Sequence, residues 1–126
     1  RISKYQDLHG KRILDWGCGP ARIVRHLPGL LPDSEIHGTD YNPNTIAWCK
    51  ANIKGVQFEK NELDPPTVYP DKHFDLIYGI SIFTHLSEPR HFSWFDELMR
   101  IAKPGAVILL TTHGNLYKRV LTDAEK

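Results

Sequence analysis

The sequence predicts an α/β fold in which a mostly parallel, doubly wound sheet carries helices on both faces, giving three layers, α/β/α. Three observations predict it. The apolar run Ile13-Leu14-Asp15-Trp16 breaks into Gly17-Cys18-Gly19 before helix-compatible residues begin, which is the strand, tight turn and helix of a βα unit. Further short apolar strands follow, and helical patterns stand between most of them. The segment His73 to Ser81 is apolar almost throughout, as a strand covered on both sides must be.

At 126 residues the chain is read as one domain, residues 1–126, with a single core. Sixteen Lys and Arg balance fifteen Asp and Glu, and the basic residues are scattered, so the electrostatic footprint of a nucleic-acid binder is missing. Cys18 and Cys49 have neither the spacing of metal ligands nor the density of a secreted disulfide scaffold. There is no apolar run of membrane-spanning length, and the start Arg1-Ile2-Ser3-Lys4 does not resemble a signal peptide. These features predict a cytoplasmic protein without membrane or nucleic-acid partners.

The first strand ends in the glycine turn, where residues without a Cβ permit positive φ and let a ligand approach the main chain. Asp15 stands at the carboxyl end of that strand, where open α/β sheets bind their ligands. Ile23, Val24 and Leu27 then give a short helix an apolar face, with Arg22 and Arg25 on its outer side and Pro28, Gly29 and Pro32 stopping it. The second strand, Glu35 to Asp40, closes on an acid 25 positions beyond Asp15, near the offset at which such folds grip a ribose. Tyr41 offers a flat face for adenine. Asn42 and Pro43 are suited to cap and open a helix running to about Asn52, with Ile46, Ala47, Cys49 and Ile53 as its apolar positions.

Gly55 releases the chain into the third strand, Val56 to Lys60, and Asn61 or Glu62 at its end can accept from an adenine amino group. A proline-rich loop leads to the fourth strand, beyond which Ser81, Phe83 and His85 reach the rim of the crevice. Trp94, Phe95, Leu98, Ile101 and Ala102 recur at helical spacing from about Pro89 and form a core stripe. Lys103-Pro104-Gly105 ends that helix before the fifth strand, Ala106 to Thr112. Thr122 to Glu125 has the residues of a further helix start.

Taken together, Leu14-Asp15-Trp16-Gly17-Cys18-Gly19, Asp40, Phe74-Asp75-Leu76-Ile77 and Arg100-Ile101-Ala102-Lys103-Pro104-Gly105 resemble the class I S-adenosylmethionine-dependent methyltransferases over essentially the whole chain. The resemblance implies a Rossmann-like sheet and the cofactor S-adenosyl-L-methionine, with S-adenosyl-L-homocysteine as product. It implies that Asp15, Trp16, Gly17, Cys18 and Gly19 flank the methionyl part, Asp40 holds the ribose and Tyr41 packs beside the adenine. Asn61 or Glu62 would meet the adenine edge, and Gly79, Ile80 and Ser81 would line the methionyl side. Pro20-Ala21 departs from the small-residue pattern that the family has after its second glycine, and Ala21 is small enough to keep the match. The family sheet closes with two further strands, so the chain is expected to be truncated after the fifth.

The chemistry this implies is attack by an acceptor oxygen, nitrogen or carbon on a sulfonium methyl, with the scattered charge favouring a small-molecule acceptor. His85 is the candidate base for a hydroxyl acceptor. His85, Glu88 and His91 match no metal-ligand spacing. Two other readings are a nicotinamide-dependent oxidoreductase, disfavoured by Arg22 where the dinucleotide fingerprint has its third glycine, and a non-catalytic cofactor-binding module.

Overall fold

The computed structural model describes residues 10–62, 64–80, 88–112 and 115–120. Six strands form one sheet: β1 (Arg12–Trp16), β2 (Glu35–Asp40), β3 (Gln57–Lys60), β4 (Phe74–Ile80), β5 (Ala102–Thr112) and β6 (Asn115–Val120). Their spatial order is β3-β2-β1-β4-β5-β6; the first five run parallel and β6 is antiparallel to β5. The order reverses between β1 and β4, which opens a crevice at the carboxyl ends of these strands.

The two-residue period of β1 supplies both faces. Leu14 and Trp16 join Trp94, Leu98 and Ile101 of helix α3 (Glu88–Ile101) on one side, while Ile13 joins Ile36, Phe58 and, from α2 (Pro43–Asn52), Ile46 and Cys49 on the other. The predicted aromatic stripe is core: Trp94 is fully buried, with its ring 5.2 Å from that of Trp16. Helix α2 begins as its sequence predicts. Asn42 Oδ1 accepts from the backbone N–H groups of Asn44 and Thr45 at 2.9 and 3.0 Å, and Pro43 occupies the first turn. Ile46 and Cys49 are buried, but Ala47 is exposed and Ile53 half-buried.

Two expectations are corrected. The sheet is not truncated after the fifth strand, because Asn115–Val120 pairs with β5 from Thr112↔Asn115 to Val107↔Val120 and satisfies the edge that β5 would otherwise present. Pro28 does not stop the first helix. A 3-10 turn at Val24–His26 runs into a single α-helical turn, α1 (Leu27–Leu30), with Pro28 in its first positions, where a missing N–H costs nothing. Ile23 is consequently exposed and Val24 alone of the short segment is fully buried. Residues 122–125 lie outside the described residues.

The two late sequence landmarks have structural reasons. Asp75 Oδ2 accepts from the backbone N–H of Arg12 at 2.9 Å, and Lys103 Nζ lies 3.2 Å from Asp75 Oδ1, so one carboxylate ties β1 and β4 to the start of β5. Arg100 donates to both oxygens of buried Glu97 (2.8 and 2.6 Å), to Asp71 (2.6 Å) and to the Tyr69 carbonyl (2.9 Å). Burial alone would raise the Glu97 carboxyl, but hydrogen bonds from Arg100 and from the N–H and hydroxyl of Thr67 outweigh it and hold the group below the usual carboxylate range. Glu97→Ala strands the Thr67 donors and one arm of Arg100, so it should cost about 2 kcal/mol, measured by denaturant unfolding.

Candidate functional site

The glycine turn takes the conformation its composition allows. Gly17, Gly19 and Ala21 all have positive φ (+74°, +54° and +64°), a left-handed residue at every second position. The backbone N–H groups of Gly17 and Cys18 both donate to the Thr39 carbonyl, at 2.7 and 2.9 Å, which folds the turn down on the end of β2. The N–H of Gly19 donates to Asp40 Oδ1 at 3.4 Å, and the N–H of Asn42 donates to Oδ2 at 3.1 Å. Gly17, Gly19 and Asp40 therefore share one rim. Among the described residues, a Cβ built on Gly19 would meet nothing within 4 Å, so the backbone at that residue is open to a ligand.

Asp15 lies at the floor of that rim, 4% exposed, paired in register with Gly38 of β2 and Tyr78 of β4. Burial pushes its carboxyl up to about 7; the Tyr78 hydroxyl beside it pulls the other way, and the charge of Asp40 adds to the rise. Tyr78 acts on that charge without settling into hydrogen-bonding geometry, and its hydroxyl is buried with no hydrogen-bond partner among the described residues. A carboxyl in this state gains from a cation placed against it.

The remaining predicted residues divide by where their side chains go. Trp16 and Cys18 send theirs into the two opposite cores, so they can offer a ligand only backbone. Tyr41 is half exposed at the mouth. Asn61 is buried: its Oδ1 accepts from the Thr39 hydroxyl at 2.8 Å, its Nδ2 donates to the Glu62 carbonyl at 2.8 Å, and its backbone N–H donates to the Asp40 carbonyl at 2.9 Å. The Glu62 carboxylate is exposed and 2.7 Å from Lys60 Nζ. Gly79 is buried in β4 opposite Leu110, and the Ile80 backbone pairs with Thr111. Ser81, Phe83 and His85 lie outside the described residues.

Sequence reasoning missed three contributors. Arg25, read as outer surface, donates from Nε to the Ala21 carbonyl at 2.9 Å and from Nη2 to the Pro20 carbonyl at 2.8 Å, with its guanidinium 5.9 Å from the Trp48 ring centroid. It braces a turn in which Ala21 holds a left-handed conformation costing about 1–2 kcal/mol. Thr39 carries the turn on its carbonyl, and Tyr78 shapes the charge of Asp15. Only the strand register reveals the last two. Arg25→Ala should leave the core intact and weaken ligand binding at the turn roughly tenfold, the effect of losing about 1–2 kcal/mol of side-chain bracing; calorimetry on both proteins measures it.

A family model described as a methyltransferase domain matches residues 13–105. The chain is 32% identical over 126 residues to a fatty-acid O-methyltransferase of Mycolicibacterium smegmatis, covering 94% of this chain and 44% of that protein. It is 30% identical over 105 residues to a trans-aconitate 2-methyltransferase of Methylobacterium nodulans, covering 83% and 39%. Among solved structures, a TehB-like SAM-dependent methyltransferase from Corynebacterium glutamicum superposes with a TM-score of 0.75 at 22% identity, over 87% of this chain and 59% of that one. The chain spans less than half the length of the two sequence relatives.

Proposed function

Because this chain belongs to the class I S-adenosylmethionine-dependent methyltransferases, we propose that it binds S-adenosyl-L-methionine across the ends of β1 and β2 and methylates a small-molecule acceptor. The observation that carries the reading is the meeting of Gly19 and Asp40 at one rim above buried Asp15. The residues fit the cofactor. The open space over Gly19 admits a ligand against bare backbone, Asp15 calls for a cation such as a methionyl ammonium, and the Asp40 oxygens retain lone pairs for ribose hydroxyls. Tyr41 is free to cover the adenine. Of Asn61 and Glu62, the Asn61 amide is committed to Thr39 and the Glu62 carbonyl, which leaves the Glu62 carboxylate to accept from the adenine amino group.

When bound, the cofactor supplies a methyl on a positively charged sulfur that a nucleophile attacks in line with the departing thioether. The contribution of the protein is placement. Asp15 and the turn fix one end, Asp40 fixes the ribose, and the walls around Asp15 exclude water, so methyl and acceptor meet in near-attack geometry. For a hydroxyl acceptor, His85 is the candidate base that the sequence offers; it lies outside the described residues.

The acceptor class follows the relatives, whose names give a fatty acid and trans-aconitate as substrates; small carboxylic acids are therefore the first candidates. Calorimetric titration should give saturable binding of S-adenosylmethionine and S-adenosylhomocysteine and none of NAD. Binding of NAD alone would reverse the assignment. Label from methyl-labelled cofactor should then reach a panel of fatty and tricarboxylic acids with the protein at its full natural length. Cofactor binding without transfer to any small molecule would establish the non-catalytic module instead.

A further inference from the structure

At the amino end of the sheet, away from the cofactor rim, Glu35, His37 and His73 come together across the foot of β1. Each offers a ligand atom, and these atoms all lie within 4.8 Å of one another. Their local chemistry is that of a metal-binding set. His37 Nε2 is 2.6 Å from Glu35 Oε2, while Arg12 Nε engages the other oxygen, Oε1, at 3.5 Å, so Oε2 is the oxygen turned toward the histidines. His37 is buried, and its Nδ1 has no hydrogen-bond partner among the described residues.

Both rings pack against aromatic side chains. His37 meets Phe74 and Tyr69 edge-on, with centroids 5.2 and 5.6 Å apart. His73 is stacked on Tyr69 at 6.3 Å and edge-on to Phe74 at 4.9 Å, and its backbone N–H donates to the Ile101 carbonyl at 2.7 Å. The rings of the two histidines are 6.1 Å apart.

We propose that Glu35, His37 and His73 form a binding site for a divalent transition ion of the zinc type, with water completing the shell. Two nitrogens and one carboxylate oxygen are a donor set that zinc accepts in open, four-coordinate sites. Ligands at zinc bond lengths stand roughly 3.4 Å apart in a tetrahedron, so closure asks for a shift of little more than 1 Å in the widest pair, which half-exposed Glu35 and His73 can make by side-chain rotation. Glu35 and Asp40 bound β2, so the ion would sit roughly 16 Å from the ribose-binding acid along the strand. Its effect would be to brace the foot of β2 to the approach to β4, not to act on the methyl donor.

The test is titration of tag-free protein with Co²⁺, followed by visible absorption, with Zn²⁺ as competitor. Saturable binding at one ion per chain, displaced by Zn²⁺ and weakened at least tenfold in both Glu35→Gln and His73→Gln, is expected. Zn²⁺ should also raise the melting temperature of the unsubstituted protein and not of the variants. These two side chains are only partly buried, so the variants keep the core that His37 helps to form, and far-ultraviolet circular dichroism confirms their folding. Absence of saturable binding, or binding of equal strength in folded variants, would overturn the site.

Discussion

Asp15→Asn is expected to make the ligand-free protein more stable at neutral pH while stripping it of much of its cofactor affinity. In the folded protein the Asp15 carboxyl titrates at about 7, against 3.8 when unfolded. Between these values the folded state holds a proton that the unfolded chain has released, so stability falls as pH rises from about 4 to about 7 and is level above. The difference of about 3 units corresponds to a penalty on the order of 4 kcal/mol at pH 8. Asparagine has the same shape without the charge and should remove that slope. The methyl donor reverses the sign. A cation set against Asp15 compensates the ionised form, so affinity in the unsubstituted protein should rise with pH toward about 7 and flatten beyond. Melting curves from pH 5 to 8, with and without S-adenosylmethionine, separate the two effects. Parallel curves for the two proteins across that range would mean that Asp15 carries no such strain.

Asp40→Ala should be the more damaging change to binding. The carboxylate is the meeting point of the turn and the start of α2, through Gly19 and Asn42, and in the proposed complex it accepts from the ribose as well. Two charge-assisted hydrogen bonds to a ligand are together worth on the order of 3 kcal/mol, so affinity for S-adenosylhomocysteine should drop roughly a hundredfold. The fold should survive, because Asp40 sits at the surface end of β2 and the Asn42 cap of α2 remains. Calorimetry at fixed pH measures the loss. An affinity within threefold of the unsubstituted protein would remove Asp40 from the site.

The fold was readable where one residue type has one physical use. Asn42-Pro43 could only cap and open a helix, and Gly17 and Gly19 marked a turn that needs positive φ; both features stand in the structure. What escaped reading depended on partners distant in sequence. β6 is hard to read because Asn115 to Val120 carries adjacent Lys118 and Arg119 in place of a clean apolar alternation, although only two residues separate Thr112 from Asn115, the spacing of a tight hairpin. Pro28 was given its helix-breaking role, but in a helix one turn long every position belongs to an end. Arg25 bonds to carbonyls four and five residues earlier, a local interaction that leaves no mark on apolar periodicity. Tyr78 reaches Asp15, and His73 reaches His37, only through sheet register across intervening chain.

The strand order leaves β3 on the outside of the sheet, four residues long, with Phe58 buried and Gln57, Glu59 and Lys60 turned to solvent. A border so brief and so charged offers little to a stray extended chain, since docking there would strip water from ionic groups for a few hydrogen bonds in return. That margin of the sheet is thus poorly suited to templating fibrils or runaway self-association.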